Sequence, residues 1–164
     1  MPAPLRAALR LAATGGFDAR GGRAYKSAVA DDAWLALDRD GDGSIGGGRE
    51  LFGNYTPQPL GPGRNGFRAL AVFDSNADGR IDARDAVFTS LRLWRDSNHD
   101  GLSQPAELYT LPSLDVARIH LDYKESKRAD AHGNEFRYRA KVGRRARGVK
   151  AGRWAWDVFL VPGQ

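Results

Sequence analysis

The sequence predicts an α+β chain: a helical, loop-punctuated first two-thirds, then a small antiparallel β-sheet. Three observations predict it. Short apolar stretches near helical spacing alternate with Asp- and Gly-rich loops up to about residue 112. Past residue 114 the period drops to two, as in Phe136, Tyr138, Ala140, Val142 against Glu135, Arg137, Arg139, Lys141. The acids are also skewed, with 16 Asp against 4 Glu. Glu is the better helix former, whereas Asp favours loops, caps and cation sites, so these acids read as sites before surface.

Taken in order, Met1–Ala13 reads as a short helix ending at Gly15-Gly16, and residues 17–30 show no period. Ala30–Leu37 reads as a helix capped by Asp31 or Asp32, with Trp34, Leu35 and Leu37 for the core. Tyr55–Asn65, rich in proline and glycine, must be a loop. Asn65–Phe73 and Ala83–Trp94 read as helices, and Ala106–Leu111 as a short one after Pro105. Val116–Glu125, Glu135–Val142 and Trp154–Val161 read as three antiparallel strands, turned at His132-Gly133-Asn134 and Gly143–Gly152. The expected organisation is one domain over 1–164, with a loop-bearing helical half at 31–112 and a sheet half at 114–162.

Composition narrows the classes. At 164 residues, 41% hydrophobic and 27% charged, the chain is long enough for a real core and is not disordered. No apolar run approaches a membrane span, and no signal-peptide core is visible. The absence of cysteine removes disulfides and thiolate metal sites. The net charge of +5 is a sum of opposites: residues 1–116 carry 13 basic and 15 acidic side chains, residues 117–164 carry 12 and 5.

Three segments share one spacing. Loop 1 runs Asp38-Arg39-Asp40-Gly41-Asp42-Gly43-Ser44-Ile45 and on to Glu50; loop 2 runs from Asp74 through Asn76, Asp78, Gly79 and Arg80 to Asp85; loop 3 runs from Asp96 through Asn98, Asp100, Gly101 and Leu102 to Glu107. Each puts side-chain oxygens at positions 1, 3 and 5 and glycine at position 6, which is the EF-hand calcium-loop pattern. Ca²⁺ wants six to eight hard oxygens at about 2.3–2.6 Å, and alternate side chains converge on one point only if the backbone then turns sharply. The expected fold class is therefore EF-hand-like helix–loop–helix units followed by a small antiparallel β-sheet. The expected ligands are Asp38, Asp40, Asp42, the Ser44 carbonyl and Glu50; Asp74, Asn76, Asp78, the Arg80 carbonyl and Asp85; Asp96, Asn98, Asp100, the Leu102 carbonyl and Glu107. Asp82 and Gln104 stand at position 9, which often acts through water. Loop 1 departs from the pattern, because Arg49 holds position 12 and Glu50 comes one residue late; Gly46-Gly47-Gly48 can let it swing round. Loops 2 and 3 start 22 residues apart, so a single helix over Ala86–Arg95 is expected to couple them.

Other patterns carry less. Phe17–Gly22 sits where a fourth loop would fall, but Arg20 holds a ligand position and no metal is expected. Gly41–Gly46 matches G-x-G-x-x-G after a predicted helix, among acids that would repel a pyrophosphate. Asn54-Tyr55-Thr56 is a chance-level sequon. His99, His120 and His132 are scattered, and no catalytic Ser/His/Asp arrangement is supported. Arg137, Arg139, Lys141, Arg144, Arg145, Arg147, Lys150 and Arg153, interleaved with Tyr138, Trp154 and Trp156, suggest an anionic partner, nucleic acid or polysaccharide, or more simply a solvated sheet face.

The stretches WLALDRDGDGSIGGGRELFGN, NGFRALAVFDSNADGRIDARD and LRLWRDSNHDGLSQPAELYTL resemble the calcium-binding module of bacterial RTX-type secreted proteins, in particular the self-processing module of FrpC-like proteins. The likeness runs from about Asp31 to Tyr123. It implies a calcium-folded module, a monomer or part of a larger protein, outside the cell. In self-processing members it further implies calcium-promoted cleavage of an upstream Asp-Pro bond by the Asp carboxylate. Here the prolines follow Met1, Ala3, Thr56, Gln58, Gly61, Gln104, Leu111 and Val161, so that bond is missing. The expectation is thus a non-enzymatic calcium-binding domain.

Overall fold

A computed structural model describes residues 7–12, 33–98, 100–144 and 153–160. Its strands are β1 (Ala7–Ala12), β2 (Ala33–Leu37), β3 (Arg80–Asp82), β4 (Leu91–Trp94), β5 (Leu108–Thr110), β6 (Val116–His120), β7 (Lys124–Ala129), β8 (Glu135–Arg144) and β9 (Arg153–Phe159); the single α-helix among these residues is α1 (Gly66–Ala71). The strands form one antiparallel sheet in the order β3-β6-β8-β9-β1-β2-β4-β5, with β7 on the same edge of β8 as β6.

This corrects the helical reading of the first two-thirds. The described parts of the two leading helices are strands: Ala7–Ala12 pairs with β9, and Ala33–Leu37 pairs with β1 and β4. Ala83–Trp94 is a 3₁₀ turn (Ala86–Thr89) followed by β4, and Ala106–Leu111 lies across a 3₁₀ turn (Pro105–Glu107) and β5. No helix–loop–helix unit exists among the described residues. The physical reason is tertiary pairing. A short helix offsets its nucleation cost only through a cap and core packing, as the six-residue α1 does, whereas a short apolar run elsewhere gains every ladder bond from a neighbouring strand. Leu91, Leu93 and Leu9, Leu11 already alternate with Arg92, Trp94 and Arg10, a period of two that the loops on either side disguise. AWLAL is apolar on both faces because both are covered: Ala33 and Leu35 enter the main core, Trp34 and Ala36 a second cluster. The caps Asp31 and Asp32 lie outside the described residues.

Two predicted features match. The helix expected at Asn65–Phe73 is α1, capped by the Asn65 side chain, which accepts the Arg68 N–H at 2.9 Å. The C-terminal strands are present, with Val116–Glu125 divided between β6 and β7. The sheet does not stop at the helical half, however: β9 pairs with β1 along its length, so one sheet runs through both halves.

α1 touches both β1 and β3, which stand well apart in the strand order, so the sheet curls round it. Phe67, Ala69 and Leu70 of α1 pack with Leu9, Leu35, Leu91, Ile119 and Val142 from the inner face. The junction is tight at Gly66, where a Cβ would lie 2.5 Å from the Phe52 carbonyl oxygen and 2.6 Å from the Leu9 side chain. All four tryptophans stand on the outer face. Trp156, Arg10, Trp34 and Trp94 face one another in register across β9, β1, β2 and β4, and Trp154 is two residues from Trp156.

Candidate metal centre

The three loops leave the sheet at different places. Loop 1 follows β2, loop 3 follows β4 and loop 2 follows α1. Their local geometry is nonetheless the same. The position-1 carboxylates Asp38, Asp74 and Asp96 each accept the N–H groups of positions 5 and 6, at 3.2 and 2.8 Å, 3.2 and 2.9 Å, and 3.1 and 3.0 Å. Position 3, as Asp40, Asn76 or Asn98, accepts the position-5 N–H at 3.1 to 3.3 Å. Position 5, as Asp42, Asp78 or Asp100, accepts the position-7 N–H. These contacts require the sharp turn at position 6, where Gly43, Gly79 and Gly101 have φ of 85°, 82° and 73°.

The closing carboxylates follow suit. Glu107 accepts from the amides of Ser97 at 2.9 Å and Gln104 at 3.4 Å, and Asp85 from those of Ser75 at 2.9 Å and Asp82 at 3.0 Å. Late Glu50 makes the same pair of contacts, to Arg39 N at 3.0 Å and Gly46 N at 2.7 Å. The extra residue is taken up at Gly47, ahead of the 3₁₀ turn Gly48–Glu50, which has the same length as Pro105–Glu107 in loop 3. All three closing side chains are buried.

Electrostatics follow from these contacts. The Gly43 N–H is the main group holding Asp38 below the usual carboxylate range, and the Leu102 N–H does the same for Asp100. Burial pushes Glu107 and Asp85 up, but hydrogen bonds from Ser97 and Gln104, and from Asp82 and Ser75, outweigh it and hold both low. The Asp42 N–H pulls Asp40 down, yet desolvation and the charges of Asp42 and Glu50 leave it raised. Like charges crowded in this way favour a cation.

The donor set fits a hard cation. Two oxygens each about 2.4 Å from Ca²⁺ lie no more than about 4.8 Å apart. Carboxylate oxygens of Asp38, Asp40 and Asp42 meet that condition, as do those of Asp96, Asp100 and Glu107. Among the described residues loop 2 forms no such group. Its Asp78 Oδ2 is engaged by the guanidinium groups of Arg84 and of Arg80, the latter at 3.2 Å, and Arg84 also reaches Asp82 Oδ2 at 2.8 Å. In loop 3 the equivalent Asp100 Oδ2 accepts neutral amide donors, Asn98 Nδ2 at 2.9 Å and Gln104 Nε2 at 2.6 Å.

The expected coupling of loops 2 and 3 through one helix is also corrected, since Ala86–Thr89 and β4 occupy that stretch. A direct contact joins loops 1 and 3. The position-8 residue Ser103 accepts the N–H of the other position-8 residue, Ile45, on Oγ at 2.6 Å. Sequence reasoning missed this link and the arginines of loop 2, although Arg80 and Arg84 were visible at positions 7 and 11, where the other loops carry no charge.

On the basic sheet, Arg139 stacks over Trp154 at 4.7 Å, Arg137 over Phe159 at 4.3 Å, and Arg144 pairs with Asp115 at 2.8 Å. Arg145, Arg147, Lys150, the Arg153 side chain and His99 lie outside the described residues, as does Phe17–Gly22. Away from the loops, Asp157 is fully buried. Its Oδ2 accepts the Gly66 N–H at 2.9 Å, and its Oδ1 has no hydrogen-bond partner. Burial pushes this carboxyl up to about 7 against the pull of that N–H and of Arg137. Among the described residues no helix is long and apolar enough to cross a membrane.

The chain belongs to the SPM domain family, which matches residues 8–152. Over 106 residues, 64% of this chain, it is 44% identical to the iron-regulated protein FrpA of Neisseria meningitidis serogroup C. The matched part spans 10% of that relative's length.

Proposed function

We propose that the chain is a calcium-binding module, without enzymatic activity of its own, whose fold calcium stabilises and which serves a secreted bacterial protein. The observation that carries this reading is the repeated geometry. Three loops use one backbone hydrogen-bond scheme to aim hard oxygens inward, and two of them bring three carboxylates to coordination spacing. Asp38, Asp40, Asp42 and Glu50 would hold one ion and Asp96, Asn98, Asp100 and Glu107 another, with the Ser44 and Leu102 carbonyls completing each sphere. When bound, calcium supplies positive charge that neutralises the crowded carboxylates and couples loop order to folding. Calorimetric titration with calcium gives site number and affinity together. Absence of binding heat, with identical melting in calcium and in chelator, would overturn the reading.

A second reading is favoured by the family match and by the small share of FrpA that the chain covers. Within a longer precursor, calcium-driven folding would promote cleavage of an Asp-Pro bond elsewhere in the chain. A fusion carrying an upstream Asp-Pro, incubated with calcium, tests it; persistence of the intact fusion counts against it.

A further inference from the structure

We propose that Arg84 is a tethered counter-ion of loop 2, a guanidinium that holds the carboxylates a divalent cation would take. Loop 2 is then the weak calcium site and loops 1 and 3 the tight ones. The competition with calcium rests on the calcium reading above; the counter-ion role does not. Arg84 donates from Nη2 to Asp78 Oδ2 and, at 2.8 Å, to Asp82 Oδ2, and from Nε to Asp82 Oδ1 at 3.1 Å. It thus spans positions 5 and 9, both turned toward the ion in a filled loop of this type. Arg80 adds a second guanidinium, 3.2 Å from Asp78 and 3.4 Å from Asp82.

The same position in the other loops sets Arg84 apart, beside a closing Asp85 that is one methylene shorter than Glu50 and Glu107. Position 11 is Gly48 in loop 1 and Ala106 in loop 3, and neither can reach across. The converging carboxylates of those loops have no counterpart in loop 2, although its backbone scheme is the same. Two monovalent cations fixed to the loop satisfy its acids without calcium, and an incoming ion must first displace them. The Arg84 side chain is half exposed, so it can swing into water, and displacement weakens binding by about tenfold rather than abolishing it.

Arg84→Gln tests this in two measurements. In chelator the variant should melt below wild type, because Asp78 and Asp82 lose their counter-charge; in saturating calcium the gap should close or reverse. In the calorimetric titration its weakest step should tighten about tenfold with the tighter steps unchanged, and adding Asp74→Asn should remove that step. Equal melting in chelator overturns the counter-ion role. An unchanged weakest step in a protein that binds calcium overturns the competition. If wild type binds no calcium at all, the calcium reading fails, and the chelator melts still decide the counter-ion role.

Discussion

Loop 3 and loop 2 carry nearly the same string of ligand-type residues, yet they differ in what surrounds the string. Loop 3 follows β4, a strand paired on both sides, closes with the long arm of Glu107 and meets its position-5 carboxylate with neutral amides. Loop 2 follows a short helix, closes with the shorter Asp85 and meets the equivalent carboxylate with two arginines. Loop 1 sides with loop 3, to which Ile45 and Ser103 tie it. The difference lies in charge set on one backbone turn: the spacing gives all three loops the same turn, and among the described residues loop 2 alone sets guanidinium groups against its position-5 carboxylate.

The largest expected effect separates the two classes by metal alone. At a thousandfold excess over Kd each bound ion stabilises the fold by about 4 kcal/mol. Two tight sites therefore give about 8 kcal/mol, or roughly 15–30 °C in melting temperature for a chain of this size. A differential scan in calcium and in chelator checks this, and a shift that needs loop 2 intact would break the comparison.

Asp157 gives the next largest effect and supplies a pH control. Its folded pKa stands above its unfolded one, so the folded state binds the extra proton. Its cost is absent below about pH 4, grows as pH rises, and is complete above about pH 7, reaching up to about 4 kcal/mol. The low carboxylates of the loops have the opposite sign: their contribution is present above about pH 4 and lost as pH falls below it. Asp157→Asn keeps an acceptor for the Gly66 N–H, and in chelator it should stabilise the protein by up to about 4 kcal/mol at pH 8 and by less than half of that at pH 5. Urea denaturation at both values checks the sign.

Smaller effects sharpen the comparison within each class. Glu107→Gln should weaken one tight step of the calcium titration by about tenfold, while Asp85→Asn should touch only the weakest. Asn65→Ala removes the cap of α1, the only α-helix among the described residues, which leads into loop 2. It should cost about 1–2 kcal/mol by chemical denaturation and leave the tight steps in place. Ser103→Ala breaks the link between loops 1 and 3. It should cost about 1 kcal/mol and make their two binding steps more nearly independent, seen as a lower Hill coefficient in a calcium titration.

How much of this was legible varies by element. The C-terminal strands were readable because Phe136 to Val142 alternate without interruption, and α1 because Asn65 caps an apolar face. The loops were readable because alternate oxygens and a position-6 glycine leave few other conformations. The strands entering loops 1 and 3 were not. AWLAL and LRLW are too short to display a period decisively, and both carry the apolar content a buried helix would. The EF-hand expectation then supplied helices that belong to other chains with such loops.

The sequence by itself determined the local chemistry: which oxygens stand at alternate positions, where the backbone must turn, and that loop 2 alone carries arginines at positions 7 and 11. Those facts depend on neighbours a few residues away. Tertiary structure decided the rest: that β9 joins β1 in a single sheet, that loop 1 touches loop 3, and that Asp157 is buried against α1. Strand pairing links residues as distant as Leu9 and Asp157. Its free energy comes from a partner that no local window of sequence contains.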